Sequence, residues 1–225
     1  MIVMGKARSK KKTPITLANR FMMVTPGPNV PSVVHVIVEI PKGRRSKFEI
    51  DKETGLIRLD RYLYSSLMYP GDYGFIPQTL AEDGDPLDIL VMVNEPTFSG
   101  CLIEARPIGL FKMTDRGAND YKVLAVPSSD PIFAEFNDLW RVPAHFLKEV
   151  EHFFATYKEL EHPDGDELVK VLGWESADRA KEEILTCIQR YATHCNGKKM
   201  PERRKNKKDR RTDKEKPSAK TPGKS

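Results

Sequence analysis

The order of apolar and polar positions divides the chain into a strand-forming stretch followed by a helix-forming one. Residues 34–40, Val-His-Val-Ile-Val-Glu-Ile, are rich in β-branched side chains and predict a strand. Residues 47–50 alternate polar and apolar, as do residues 56–63, and Asp51-Lys52-Glu53-Thr54-Gly55 between them reads as a hairpin turn. Tyr69-Pro70-Gly71-Asp72-Tyr73-Gly74 reads as a turn-rich bend. Ile89-Leu90-Val91-Met92-Val93 is a continuous apolar run, the mark of a buried strand, and further strands are expected at 102–112 and 121–126. Six or so strands joined by short turns point to a closed or nearly closed barrel.

After residue 140 the period changes. Phe146, Val150, Phe153, Tyr157 and Leu160 recur at helical spacing and predict a helix over 144–160. A second helix is expected over 176–194, with Ser176 as N-cap, Asp178 in the first turn and a stripe of Ala180, Ile184, Cys187, Ile188 and Tyr191. Strands first and helices after define an α+β domain.

Charge changes the picture at both ends. Residues 1–20 carry six basic side chains and no acidic one, and residues 197–225 carry thirteen basic and four acidic. Since the whole chain carries a formal +5, residues 21–196 are left with −10. The sequence pI near 9.0 therefore belongs to the termini. The chain is read as a basic arm over 1–14, a domain over 15–196 and a basic tail over 197–225 whose composition is too polar to form a core. The basic ends are expected to bind polyanions in a salt-dependent way. Cys101, Cys187 and Cys195 are odd in number, lack metal spacing and read as reduced thiols of a cytosol-like compartment. The basic termini keep an organellar or nuclear address open, and no apolar run reaches membrane-spanning length.

Candidate chemistry concentrates in Asp83-Gly84-Asp85-Pro86-Leu87-Asp88, which runs straight into the apolar strand at 89–93. Carboxylates at such density repel one another unless cations sit between them. Hard oxygen donors suit Mg²⁺ or Mn²⁺, and Mg²⁺ recruits phosphate groups as further ligands. Asp115, Asp120 and Lys122 follow in a second polar cluster. The acidic stretch at residues 162–167 has no such setting and reads as a surface turn.

These segments, in this order, resemble the soluble inorganic pyrophosphatases of the Mg²⁺-dependent class, family I. The signature-like Asp83-Gly84-Asp85-Pro86-Leu87-Asp88 is joined by Glu39 in Val-Glu-Ile-Pro, Lys47 and Glu49 in Lys-Phe-Glu-Ile-Asp, and Arg61 in Leu-Asp-Arg-Tyr. Tyr69 and Tyr73 stand in Tyr-Pro-Gly-Asp-Tyr-Gly, and Tyr157 and Lys158 in Phe-Phe-Ala-Thr-Tyr-Lys-Glu-Leu-Glu. The resemblance covers roughly residues 15–193 and departs from many relatives at Arg116, where they carry an acid.

It implies an α+β fold with an OB-like five-stranded β-barrel flanked by C-terminal helices. It also implies an inorganic diphosphatase that takes a pyrophosphate–metal complex and assembles as a homo-oligomer, dimer or hexamer, in the cytoplasm. By the same resemblance, Asp83, Asp88, Asp115, Asp120 and Glu39 are metal ligands and Asp85 accepts the proton of a metal-activated water. Lys47, Glu49, Arg61, Tyr73, Lys122, Tyr157 and Lys158 bind substrate, with Glu49 alternatively only orienting Lys47 or Arg61. Tyr69 is read equally as structural or substrate-binding. A single-stranded nucleic-acid binder is the competing class for an OB-like barrel with basic ends; the acidic charge of residues 21–196 argues against it.

Overall fold

The fold is described from a computed structural model, which defines residue 21 and residues 23–51, 54–161 and 169–196. The expected arm at 1–14, tail at 197–225 and acidic turn at 162–167 lie outside the described residues. Nine strands are present among those described: β1 (Val34–Ile40), β2 (Ser46–Ile50), β3 (Ile57–Tyr62), β4 (Asp72–Phe75), β5 (Asp88–Val91), β6 (Leu102–Asp115), β7 (Ala118–Asn119), β8 (Lys122–Pro127) and β9 (Val169–Glu175). Helix α1 (Ala144–Thr156) precedes β9, and helix α2 (Ala177–Asn196) follows it.

Five strands close on themselves in the order β1-β4-β5-β8-β6, and β6 returns to pair with β1. The ring is antiparallel except at β5–β8, where Asp88 lies level with Lys122 in parallel register. β6 is long enough to serve three further neighbours, pairing with β8, β7 and β9. It turns the corner at a bulge between Pro107 and Gly109, where a proline costs no central ladder bond. The expected OB-like five-stranded barrel with C-terminal helices is therefore what the chain forms. β2 and β3 stand apart as a two-stranded hairpin.

Alternation along the ring strands feeds two apolar clusters. Ile89, Val91, Val123 and Ala125 pack with Ala180, Ile184 and Cys187 of α2. Their neighbours Leu90, Leu124 and Val126 pack with Val150, Phe153, Phe154 and Tyr157 of the α1 segment. Both faces of β5 and β8 are thus buried, which is why these strands read as unbroken apolar runs.

Several expectations need correction. The segment read as a bend at 69–74 contains the start of β4, whose four residues are all buried. Asp72 makes this possible: its carboxylate accepts bonds from Lys42 N, Thr97 N and Thr97 Oγ1. The first helix ends at Thr156 rather than 160, so Leu160 leaves the stripe and is exposed. Ser176 does precede α2, with Ala180 N donating to its carbonyl at 3.1 Å.

Gly74 allows β4 to approach β1. A Cβ at this position would stand 2.0 Å from the carbonyl oxygen of Ile37, a backbone atom held in the ladder. Gly74→Ala is expected to lower stability by about 1–3 kcal/mol, read as a shift of the urea midpoint. An unchanged midpoint would refute this account of the β1–β4 approach.

Candidate active site

One cavity of about 580 Å³ opens between the barrel, the hairpin and the end of α1. Glu39, Lys47, Glu49, Arg61, Tyr73, Asp83, Asp85, Asp88, Asp120, Lys122, Tyr157 and Lys158 line it. Of the residues expected from the sequence, Asp115 and Tyr69 are outside the lining, and Lys158 Nζ reaches back to Asp115 Oδ2. Segments of the chain more than a hundred positions apart meet in it.

The acidic turn is fastened at its base. Thr79 Oγ1 donates to Ile76 O and accepts from Leu87 N, while Leu80 N donates to Cys187 O in α2. Inside the turn Ala81 N bonds Asp85 O, and Asp85 N donates to Asp83 Oδ1 at 3.0 Å. Gly84 adopts φ +90°, a conformation that side chains disfavour, and this lets Asp83 and Asp85 face one opening. Burial raises the Asp83 carboxyl above its ordinary value, against the bond from Asp85 N and with the help of Asp88 and Asp120.

Asp88 begins β5 and Lys122 begins β8, so the parallel register sets them side by side. Lys122 Nζ lies 2.8 Å from Asp88 Oδ2 and 2.8 Å from Asp120 Oδ1. The Tyr73 hydroxyl, from β4, also donates to Asp88 Oδ2. Lys122 is almost fully buried, with its ammonium over the rings of Tyr73 and Phe154. Burial alone would depress this ammonium; Asp88 and Asp120 outweigh it and hold the group above its ordinary value.

The hairpin supplies the opposite wall. Lys47 lies directly across from Arg61. Two cations at this spacing repel, and Asp60 Oδ2 accepts from both, which lets them coexist. Lys47 Nζ also bonds Glu49, and Arg61 Nε bonds Glu161. The hairpin is tied to the barrel where Ile50 N donates to Glu39 Oε1 at 2.8 Å. Burial raises the Glu39 carboxyl to about 7, against that backbone bond, with Asp88 and Glu49 adding to the rise.

Tyr157 and Lys158 follow the last turn of α1. The Tyr157 ring stacks on Phe153 at 5.4 Å while the residue lines the cavity, so it belongs to both core and site. Tyr69 is fully buried against Tyr73 and Phe153 and does not line the cavity, which favours its structural reading. Asp60 and Glu161 had no role in the sequence reading. Both lie inside the quoted motifs, Leu-Asp-Arg-Tyr and Phe-Phe-Ala-Thr-Tyr-Lys-Glu-Leu-Glu, but their pairing with Arg61 carries no local signal.

The cavity offers six carboxylates and four cationic groups, and neither histidine nor cysteine. That donor set fits a hard divalent cation and excludes a preference for soft metals. Among the described residues no three carboxylates converge closely enough to form a ready-made cage; Asp88 and Asp120 instead meet at Lys122. Asp115 Oδ1 is buried without a hydrogen-bond partner, an acceptor suited to a cation or donor brought by a ligand.

A closed OB-like ring that gathers oxygen donors beside cationic groups at one cavity defines an α+β protein with a charge-rich site. The inorganic pyrophosphatase family profile matches residues 36–192. The inorganic pyrophosphatase of Picrophilus torridus is 48% identical over 168 residues, covering 75% of this chain and 93% of its own. That of Haloferax volcanii is 49% identical over 165 residues, 73% of this chain and 92% of its own. The crystal structure of inorganic pyrophosphatase from Thermus thermophilus superposes with a TM-score of 0.74 at 44% identity, covering 76% of this chain and 98% of that one. The chain belongs to the inorganic pyrophosphatase family.

Glu39 gives a pH test. Its folded value lies near 7 against an ordinary 4.5, so the folded state holds its proton more tightly than the unfolded state. The associated stability is complete below the ordinary value and is lost as pH rises through 7. In EDTA, the wild type is expected to lose roughly 2 kcal/mol relative to Glu39→Gln between pH 5 and pH 8. Parallel unfolding curves for the two proteins would refute it.

Proposed function

We propose that this protein hydrolyses inorganic pyrophosphate to two phosphates with Mg²⁺ as its working cation and Mn²⁺ as a substitute. The observation that carries the reading is one cavity lined by six carboxylates and four cationic groups. Pyrophosphate is a polyanion, so catalysis rests on charge neutralisation and positioning. Bound divalent cations supply Lewis-acid neutralisation of phosphoryl charge and make the attacking water more acidic.

Asp83, Asp88 and Asp120 hold the activating cation. Asp115, with its orphaned oxygen, and Glu39 serve cations that arrive with the substrate. Asp85 accepts the proton of the attacking water. Lys47, Arg61 and Lys158 neutralise phosphate oxygens, Arg61 by its planar fork and the lysines as point charges. Tyr157 donates its hydroxyl to the same group. Tyr73 works through Asp88, whose Oδ2 it already engages. Lys122 keeps Asp88 and Asp120 aligned, and Glu49 orients Lys47.

Purified full-length protein given pyrophosphate and millimolar Mg²⁺ is expected to release phosphate, and EDTA to stop it. Turnover no greater than that of boiled protein would end this reading. Asp85→Asn is expected to lower kcat by about 10²–10⁴-fold while leaving the Mg²⁺ dependence in place. Asp88→Asn is expected to move the Mg²⁺ activation curve to higher concentration. Equal shifts of the metal curve in both variants would refute this division of roles.

A further inference from the structure

Arg61 stands on an exposed strand of a hairpin that pairs only with itself. Such a hairpin is poorly held unless something outside it provides anchorage, and a free arginine side chain loses considerable rotamer entropy when it grips a ligand. The anchor here comes from a hundred residues away. Arg61 Nε donates to Glu161 Oε1 at 2.9 Å, and Glu161 is 11% exposed against 27% for Arg61. Arg61 Nη1 donates to Asp60 Oδ2. Nη2 and one hydrogen of Nη1 remain for a ligand among the described residues. Glu161 itself does not line the cavity.

Glu161 also sits on the short turn that follows Tyr157 and Lys158. Its bond to Arg61 therefore fixes the distance between the hairpin cations and the groups at the end of α1. Resting on the reading above that Arg61 binds phosphate, we propose that Glu161 is a positioning residue. By accepting the Nε bond it aims the terminal guanidinium nitrogens of Arg61 at the phosphate and registers the hairpin against Tyr157 and Lys158.

The position calls for an acceptor oxygen at the full reach of a glutamate. Gln keeps both features, Asp loses the reach and Ala loses both. In the full-length protein, Glu161→Ala and Glu161→Asp are expected to raise KM for Mg-pyrophosphate and the Kd for inorganic phosphate by about 10- to 10²-fold. Glu161→Gln is expected to stay within about threefold of wild type, since one neutral-acceptor bond replaces a charged one. Introduced into Arg61→Ala, Glu161→Ala is expected to add nothing further to either constant.

A readout independent of turnover is the solvent exchange of the Arg61 Nε proton by NMR. It is expected to be slow in wild type and Glu161→Gln and fast in Glu161→Asp. Unchanged KM and phosphate affinity in Glu161→Ala would overturn the proposal, as would the same loss in the Arg61→Ala background as in wild type. If Glu161→Ala does not fold, the Gln and Asp variants decide, and equal behaviour of the two overturns it. Failure of the functional reading looks different: wild type then neither turns over pyrophosphate nor binds phosphate, while the proton-exchange comparison still reports on the anchor.

Discussion

The buried ammonium of Lys122 is the interaction on which the site depends. It bonds Asp88 and Asp120 at 2.8 Å each and lies over the rings of Tyr73 and Phe154, so it joins β5, β8, β4 and α1 at one point. Removing one partner of a buried charge group costs about 3–5 kcal/mol because the other charge is left uncompensated. The same contact sets the orientation of Asp88, whose Oδ2 receives both Lys122 and the Tyr73 hydroxyl. Stability and the orientation of Asp88 are therefore one property here, and the parallel β5–β8 register is what produces it.

An aromatic layer carries that order outward to α1. Phe111 stacks on Phe154 and meets Trp174 of β9, and Tyr69 contacts both Tyr73 and Phe153. Ring pairs of this kind contribute roughly 0.5–1.5 kcal/mol beyond their buried area, and they restrict rotation of the helix about its axis. With α1 held, the residues after its last turn have fixed destinations: Tyr157 in the cavity, Lys158 on Asp115 and Glu161 on Arg61. The hairpin is held from the other side by Ile50 N on Glu39. The hairpin is thus suspended between the barrel and the helix, and charges alternate from Glu49 through Lys47, Asp60 and Arg61 to Glu161.

Much of this was legible along the chain. The strands at 34–40, 46–50 and 57–62 appear in the pattern because β-branched and alternating segments state their period locally. The acidic motif was visible because its three carboxylates within six residues run straight into the apolar stretch at 89–93. β4 was not legible, because Pro70, Gly71 and Gly74 carry turn signals that burial and the Asp72 bonds override. β9 was missed because its alternation is interrupted by Gly173 and none of its residues is fully buried. Leu160 followed the helical period beyond the point where the helix stops.

The sequence by itself determined most of the elements, the charge division between −10 over residues 21–196 and the basic ends, and the identity of the carboxylates and cations that could serve a metal and a phosphate. These follow from local chemistry, since propensity, period and charge are properties of neighbouring residues. The tertiary structure decided how they meet. Closure of β6 onto β1 brings the ends of the ring together, and the β5–β8 register places Asp88 beside Lys122. The meeting of Arg61 with Glu161 spans a hundred residues. Such pairings depend on chain closure and packing, which no local stretch encodes, and so Asp60 and Glu161 acquire a role only once the barrel, hairpin and helix are assembled.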